Sequence, residues 1–120
     1  MDEIDIEALK NADIDYADID DRFEGNFALY LKLAELFLAD PHMASIEAAF
    51  AEGSLDEAER EAHALKGVAG NLSLTRVHQL AAAMNDALKA HDERAAATLL
   101  PQLDEAYAKA VEALKKVLGR

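Results

Sequence analysis

Cysteine and tryptophan are absent from this 120-residue chain, and prolines number only two. Without cysteine there are no disulfides and no thiolate chemistry, which fits an expected cytoplasmic location. β-Branched residues are sparse, which argues against a large sheet. Basic residues are scarce as well: 12 Lys and Arg stand against 24 Asp and Glu, for a net charge of −12. Phosphate backbones and anionic membranes both need a basic face, so neither nucleic acid nor a membrane surface is an expected partner. The opening "MDEIDIEALK" lacks the apolar core of a signal peptide. The most apolar stretch, "FALYLKLAELFLAD", is interrupted by Lys32 and Glu35 and does not read as a membrane span. No G-x-x-x-x-G-K-[ST] nucleotide-binding pattern occurs, so ATP-dependent kinase activity is not expected.

What the chain does have is alanine and helical periodicity. Hydrophobic residues make up 52% of it, and length alone suits a single domain. Residues 1–20 are strongly acidic and read as a short helix or turn plus a solvated lead-in. Asp13 to Glu24 has the carboxylate density of a calcium loop but not its glycine or third oxygen ligand. A first long helix is predicted over about 21–39, with Phe23, Phe27, Leu31, Ala34 and Phe37/Leu38 inward. Asp40 and Pro41 suit the N-cap and first position of a short second helix to about Glu52, which Gly53 ends. Ser54 to Glu57 has the form of a capping box and opens a third helix. Its stripe of Leu55, Ala58, Ala62, Leu65, Ala69 and Leu72 is cleanly amphipathic. After a break near residues 71–73, Val77, Leu80, Ala81, Met84 and Leu88 mark a fourth helix. A fifth, capped by Asp92, runs to about Leu118, with Pro101 expected to kink or restart it. Short connections between long helices predict an all-α, antiparallel up-down four-helix bundle over 21–120, with a short extra helix before it.

The third helix carries an anomaly, the stretch "AHALKGVAGN" from Ala62 to Asn71. A glycine inside a helix costs roughly 1 kcal/mol relative to alanine, and here there are two. On a helical wheel His63 lies roughly 130° from the core stripe and Gly67 nearly opposite it. Glu59, His63, Lys66, Gly67 and Gly70 thus form one strip outside the bundle core. Glycines there clear side chains from beside His63, and Lys66 adds a cation at i+3. A nucleophilic nitrogen, a cation and open space suit transfer of an anionic group to histidine. His42, His78 and His91 offer no comparable setting, and Glu59 with His63 lacks the further ligands of a metal site.

"AHALKGVAGNLSL" resembles the signature of histidine-containing phosphotransfer (HPt) domains, roughly His-x-Leu-Lys-Gly followed by small residues. The segments "RFEGNFALYLKLAELF" and "AFAEGSLDEAEREAHALKG" are similar to that family's first bundle helix and its approach to the histidine, so the resemblance runs from about Asp15 onward. It implies a phosphorelay role with His63 as phosphoacceptor, Lys66 balancing phosphoryl charge and Gly67 admitting the partner. Many members place Gln or Glu from the next helix beside the imidazole; the matching residue here is Asn85. The family's glycine after "NL" is Ser73, which suits a cap for the fourth helix. The implied partners are response-regulator receiver domains and a hybrid sensor kinase. Magnesium is expected on the receiver and no cofactor on this chain, which is expected to be a monomer. The alternative is a receiver-docking or helical dimerisation module without net transfer.

Overall fold

A computed structural model describes residues 2–120. Among them seven helices form: α1 (Glu3–Asn11), α2 (Tyr16–Arg22), α3 (Phe27–Leu38), α4 (His42–Glu52), α5 (Leu55–Asn71), α6 (Thr75–Lys89) and α7 (Glu93–Val117). The chain is all-α; the one β-type contact among the described residues is an isolated antiparallel bridge between Ile14 and Leu74. No described helix is long and apolar enough to cross a membrane.

The bundle closes in sequence order: α4 packs on α5, α5 on α6, α6 on α7, and α7 returns to α4. α3 also lies against α7. At 25 residues α7 is about 37 Å long, enough to support α3 and α4 in succession. The apolar stripes read from the sequence are the buried faces. Ala58, Ala62, Leu65 and Ala69 of α5 are fully buried against Val77, Leu80, Ala81, Met84 and Leu88 of α6. Alanine at these positions lets the two helices approach closely. Leu103, Ala110 and Leu114 complete the core from α7.

The N-terminal region departs from expectation. Residues 1–20 are not a solvated lead-in: from Glu3 they contribute α1 and most of α2, and Leu9, Ile14 and Ile19 are buried in the same core as Leu65 and Leu74. Carboxylate density masked three apolar residues spaced too widely for one helical stripe. The predicted helix over 21–39 is two helices. Glu24 and Gly25 between them take positive φ, 51° and 78°, and Asn26 restarts the helix by accepting from the Leu29 N–H at 3.1 Å. Tyr30, absent from the predicted inward set, is fully buried, and its hydroxyl donates to the Leu72 carbonyl at 2.8 Å.

Three terminus readings also change. Pro41 is the N-cap position of α4, one place earlier than expected, and Asp40 Oδ1 accepts from the His42 N–H at 2.8 Å. Ser54 precedes α5 but makes no side-chain cap bond, so the capping box is not formed. Pro101 neither breaks nor restarts α7. Its missing N–H orphans a carbonyl one turn back at Ala97, an exposed residue where water can serve it. Asp92 caps α7 as expected, accepting from the Ala95 N–H at 3.1 Å.

Candidate functional site

α5 brings four of the strip residues to one outer face by helical register alone. His63 is exposed, Lys66 half-buried one turn on, and Gly67 exposed directly after it. A Cβ built on Gly67 would meet nothing within 4 Å. The absence of a side chain there serves no packing within this chain.

Gly70 has a different explanation. A Cβ at Gly70 would stand 3.1 Å from Nδ1 and 3.3 Å from Cε1 of the His78 imidazole. The ring of His78, from α6, lies in the notch that Gly70 leaves. Its Nδ1 is 2.9 Å from the Lys66 carbonyl oxygen. A carbonyl only accepts, so Nδ1 carries the proton. Of the two glycines, then, one is open to solvent and one is filled by a histidine that sequence reasoning set aside. The pairing of a helix glycine with a histidine just past the following turn was the available signal.

Asn85 does not bond to His63. It is fully buried, and its Nδ2 donates to the Glu59 side chain at 2.9 Å and to the Glu59 backbone carbonyl at 3.2 Å. Asn is one methylene shorter than Gln, and from α6 its amide reaches the turn of α5 before the histidine instead of the imidazole. Its Oδ1 is buried without a partner. Glu59, at i−4 from His63, is thereby tied down on the histidine side of α5.

Ser73 is not a helix cap. Leu74 takes the N-cap position of α6, and Ser73 sits in the turn with φ of 59°, the left-handed region that a family glycine would occupy without strain. The serine is held there from outside. Its hydroxyl donates to Asp18 Oδ2 at 2.5 Å, and its carbonyl accepts from the Asp15 N–H at 3.0 Å. The Thr75 N–H donates in turn to the Asp13 carbonyl at 3.0 Å. Two backbone bonds and one side-chain bond thus fasten α2 to the turn that ends α5. The Ser73 hydroxyl holds the Asp18 carboxyl below its ordinary range against the opposing effect of burial, and the nearby Arg22 guanidinium adds to the lowering.

Beside Gly67 and Gly70 lies a groove of about 400 Å³ whose lining includes Asp18, Arg22, Lys66, Ser73 and His78. Asp18, Arg22, Ser73 and His78 were not among the residues the sequence singled out. No group of three or more His, Cys, Asp or Glu side chains among the described residues is placed to hold a metal ion.

An all-helical bundle that offers a solvated histidine on the outer face of one stave, with a lysine and a vacant glycine beside it, is built to present that nitrogen to something large. The model of one family, the Hpt domain, matches residues 33–114. The chain belongs to the Hpt domain family, whose role is histidine phosphotransfer in phosphorelays. The match spans the second half of α3 through most of α7 and leaves α1 and α2 outside it. No curated protein and no solved structure matches the chain.

Proposed function

We propose that this protein accepts a phosphoryl group on His63 from the phosphorylated aspartate of a receiver domain and passes it to a second receiver. The observation that carries the reading is the exposed His63 imidazole next to an open Gly67, inside the Hpt match. Nε2 of the neutral imidazole attacks phosphorus, the bond from phosphorus to the aspartyl oxygen breaks, and the carboxylate leaves with the electron pair. The product is a phosphoramidate on Nε2 with the proton still on Nδ1. Onward transfer reverses these steps at another carboxylate. Lys66 faces the added negative charge from one turn away. Its help is about 1 kcal/mol at contact distance in water.

Asn85 acts on this chemistry through Glu59. By fixing one carboxylate oxygen, it leaves the other available to Nδ1–H of His63 one turn on. That contact would hold the tautomer that leaves Nε2 as nucleophile and offset the positive charge the ring gains on attack. Receivers bring their own magnesium and most of the transfer machinery, and this chain acts as a monomeric carrier without kinase activity.

The test is to mix the full chain with a panel of receivers labelled at their aspartyl phosphate. Wild type should take up label that is acid-labile and alkali-stable, and His63→Gln should take up none. Lys66→Ala should slow uptake while leaving the fold intact. Glu59→Gln keeps the bond to Asn85 but should shift the His63 tautomer balance seen by ¹⁵N NMR. Label persisting in His63→Gln, on His78 or His91, would refute the assignment. Tight binding of receivers without transfer would instead favour a docking module.

A further inference from the structure

The groove beside Gly67 and Gly70 is walled on one side by α5 and on the other by a helix the family match does not include. α2 supplies Asp18 and Arg22; α5 supplies Lys66, Gly67 and Gly70; the turn and α6 supply Ser73 and His78. It begins at Gly67, about 6 Å along the helix axis from His63. In a chain of net charge −12, its ionisable lining is Arg22, Lys66 and His78 against a single carboxylate, Asp18. That carboxylate is already engaged by the Ser73 hydroxyl at 2.5 Å and by Arg22 Nη2 at 3.4 Å. One of the five guanidinium N–H donors is committed to Asp18, and the Arg22 side chain remains 46% exposed. The arrangement is a cationic notch next to the phosphoacceptor in an otherwise acidic protein.

Resting on the phosphotransfer reading above, we infer that this notch is a docking site for the receiver, and that Arg22 of α2 is a partner-selecting contact for carboxylates beside the phosphorylated aspartate. The chemistry of the two faces matches. A receiver that holds a divalent cation at its aspartyl phosphate must present oxygen ligands, and therefore carboxylates, around that point. An acidic carrier facing an acidic partner would be repelled, and a local basic notch beside His63 relieves the repulsion where the surfaces meet. Asp18 and Ser73 then have a role beyond stability. They fix α2 to the end of α5, and so hold Arg22 at the rim of the groove. α1 and α2 become part of the interaction surface of this particular chain, even though the family motif lies entirely in the bundle.

The experiment uses the full chain and a receiver that phosphorylates wild-type His63. Arg22→Glu should raise the half-saturating receiver concentration by about tenfold, and should weaken the salt dependence of transfer, while the rate at saturation changes less than about twofold. Arg22→Lys should recover most of the loss. Arg94→Glu, at the start of α7 and away from the groove, serves as the equal-charge control and should saturate like wild type. Labelling with phosphoramidate, a small donor that needs no docking, gives the reference: the ratio of receiver transfer to phosphoramidate labelling should fall in Arg22→Glu. Three results would overturn the inference: saturation of Arg22→Glu as in wild type, a drop confined to the saturated rate, or equal loss in Arg94→Glu. The reading itself fails separately, and takes the inference with it, if wild type is labelled by no receiver at all.

Discussion

Replacing each glycine of the phosphoacceptor helix by alanine should move stability in opposite directions. Both residues lie inside α5, so both substitutions gain the intrinsic helix preference of alanine, up to about 1 kcal/mol. At Gly67 nothing offsets that gain, because a Cβ there meets no atom within 4 Å. With an unfolding entropy of about 2.1 cal/mol/K per residue, 1 kcal/mol corresponds to a rise in Tm of about 4 °C for this chain. At Gly70 the new methyl would press on the His78 ring at 3.1 Å. That ring is not free to retreat, since its Nδ1 is bonded to the Lys66 carbonyl at 2.9 Å. Loss of the bond, at about 1 kcal/mol, together with the steric shift should outweigh the helix preference and lower Tm by a few degrees. Thermal unfolding of Gly67→Ala, Gly70→Ala, His78→Ala and the Gly70→Ala/His78→Ala pair gives a double-mutant cycle. With His78 truncated, Gly70→Ala should become stabilising. A destabilised Gly67→Ala, or a Gly70→Ala effect that persists without His78, would refute the division of roles between the two glycines. In transfer assays Gly67→Ala should slow uptake from a receiver more than uptake from phosphoramidate, because only the receiver needs the space.

Two further effects follow from the contacts around the α5–α6 turn. Tyr30→Phe leaves the Leu72 carbonyl at the end of α5 without its 2.8 Å donor and should cost about 1–2 kcal/mol by denaturant titration; burial raises the Tyr30 phenol above its ordinary range, so a tyrosinate absorbance step at mildly alkaline pH would contradict its placement. Asp18 has a folded-state pKa below its unfolded value because Ser73 and Arg22 favour the carboxylate, so its contribution is present above about pH 4 and is lost as pH falls through the folded-state value. Asp18→Asn should therefore flatten the acid limb of the stability curve below about pH 4, and parallel limbs for the two proteins would refute the assignment.

The bundle was legible because its helices are long and their apolar stripes regular. Val77, Leu80, Ala81, Met84 and Leu88 repeat at steps of three and four, and a pattern of that length has one helical reading. Ala58 through Ala69 is as clear, and the positions it leaves outside included His63, Lys66 and Gly67. The N-terminus was not legible for the converse reason. Leu9, Ile14 and Ile19 are single apolar residues on helices of nine and seven residues or in the turn between them, and no window there is long enough to reveal a period. Asn85 shows a different limit. The sequence places it on the correct helix, but whether its amide reaches the imidazole or the preceding turn depends on one methylene and on the distance between helices, which residue order does not contain.

Ser73 shows how a departure from a family pattern can point to an added element. A turn that needs positive φ takes glycine at little cost, and a serine at φ of 59° is strained unless something else holds it. Here the hold comes from α2 and the residues just before it, through the Asp18 carboxylate and the pair of backbone bonds at Asp13 and Asp15. The strain and the latch belong together: serine supplies the hydroxyl that glycine lacks, and the hydroxyl is what reaches the N-terminal helix. The acidic crowding of residues 13–21 thereby acquires a specific use at one position, where a carboxylate meets a hydroxyl on one side and Arg22 on the other. The same latch sets the outer wall of the groove next to His63. Where a chain of this family replaces that glycine by serine, the residues preceding its bundle are the place to look for the acceptor, and for a surface that the shared motif does not describe.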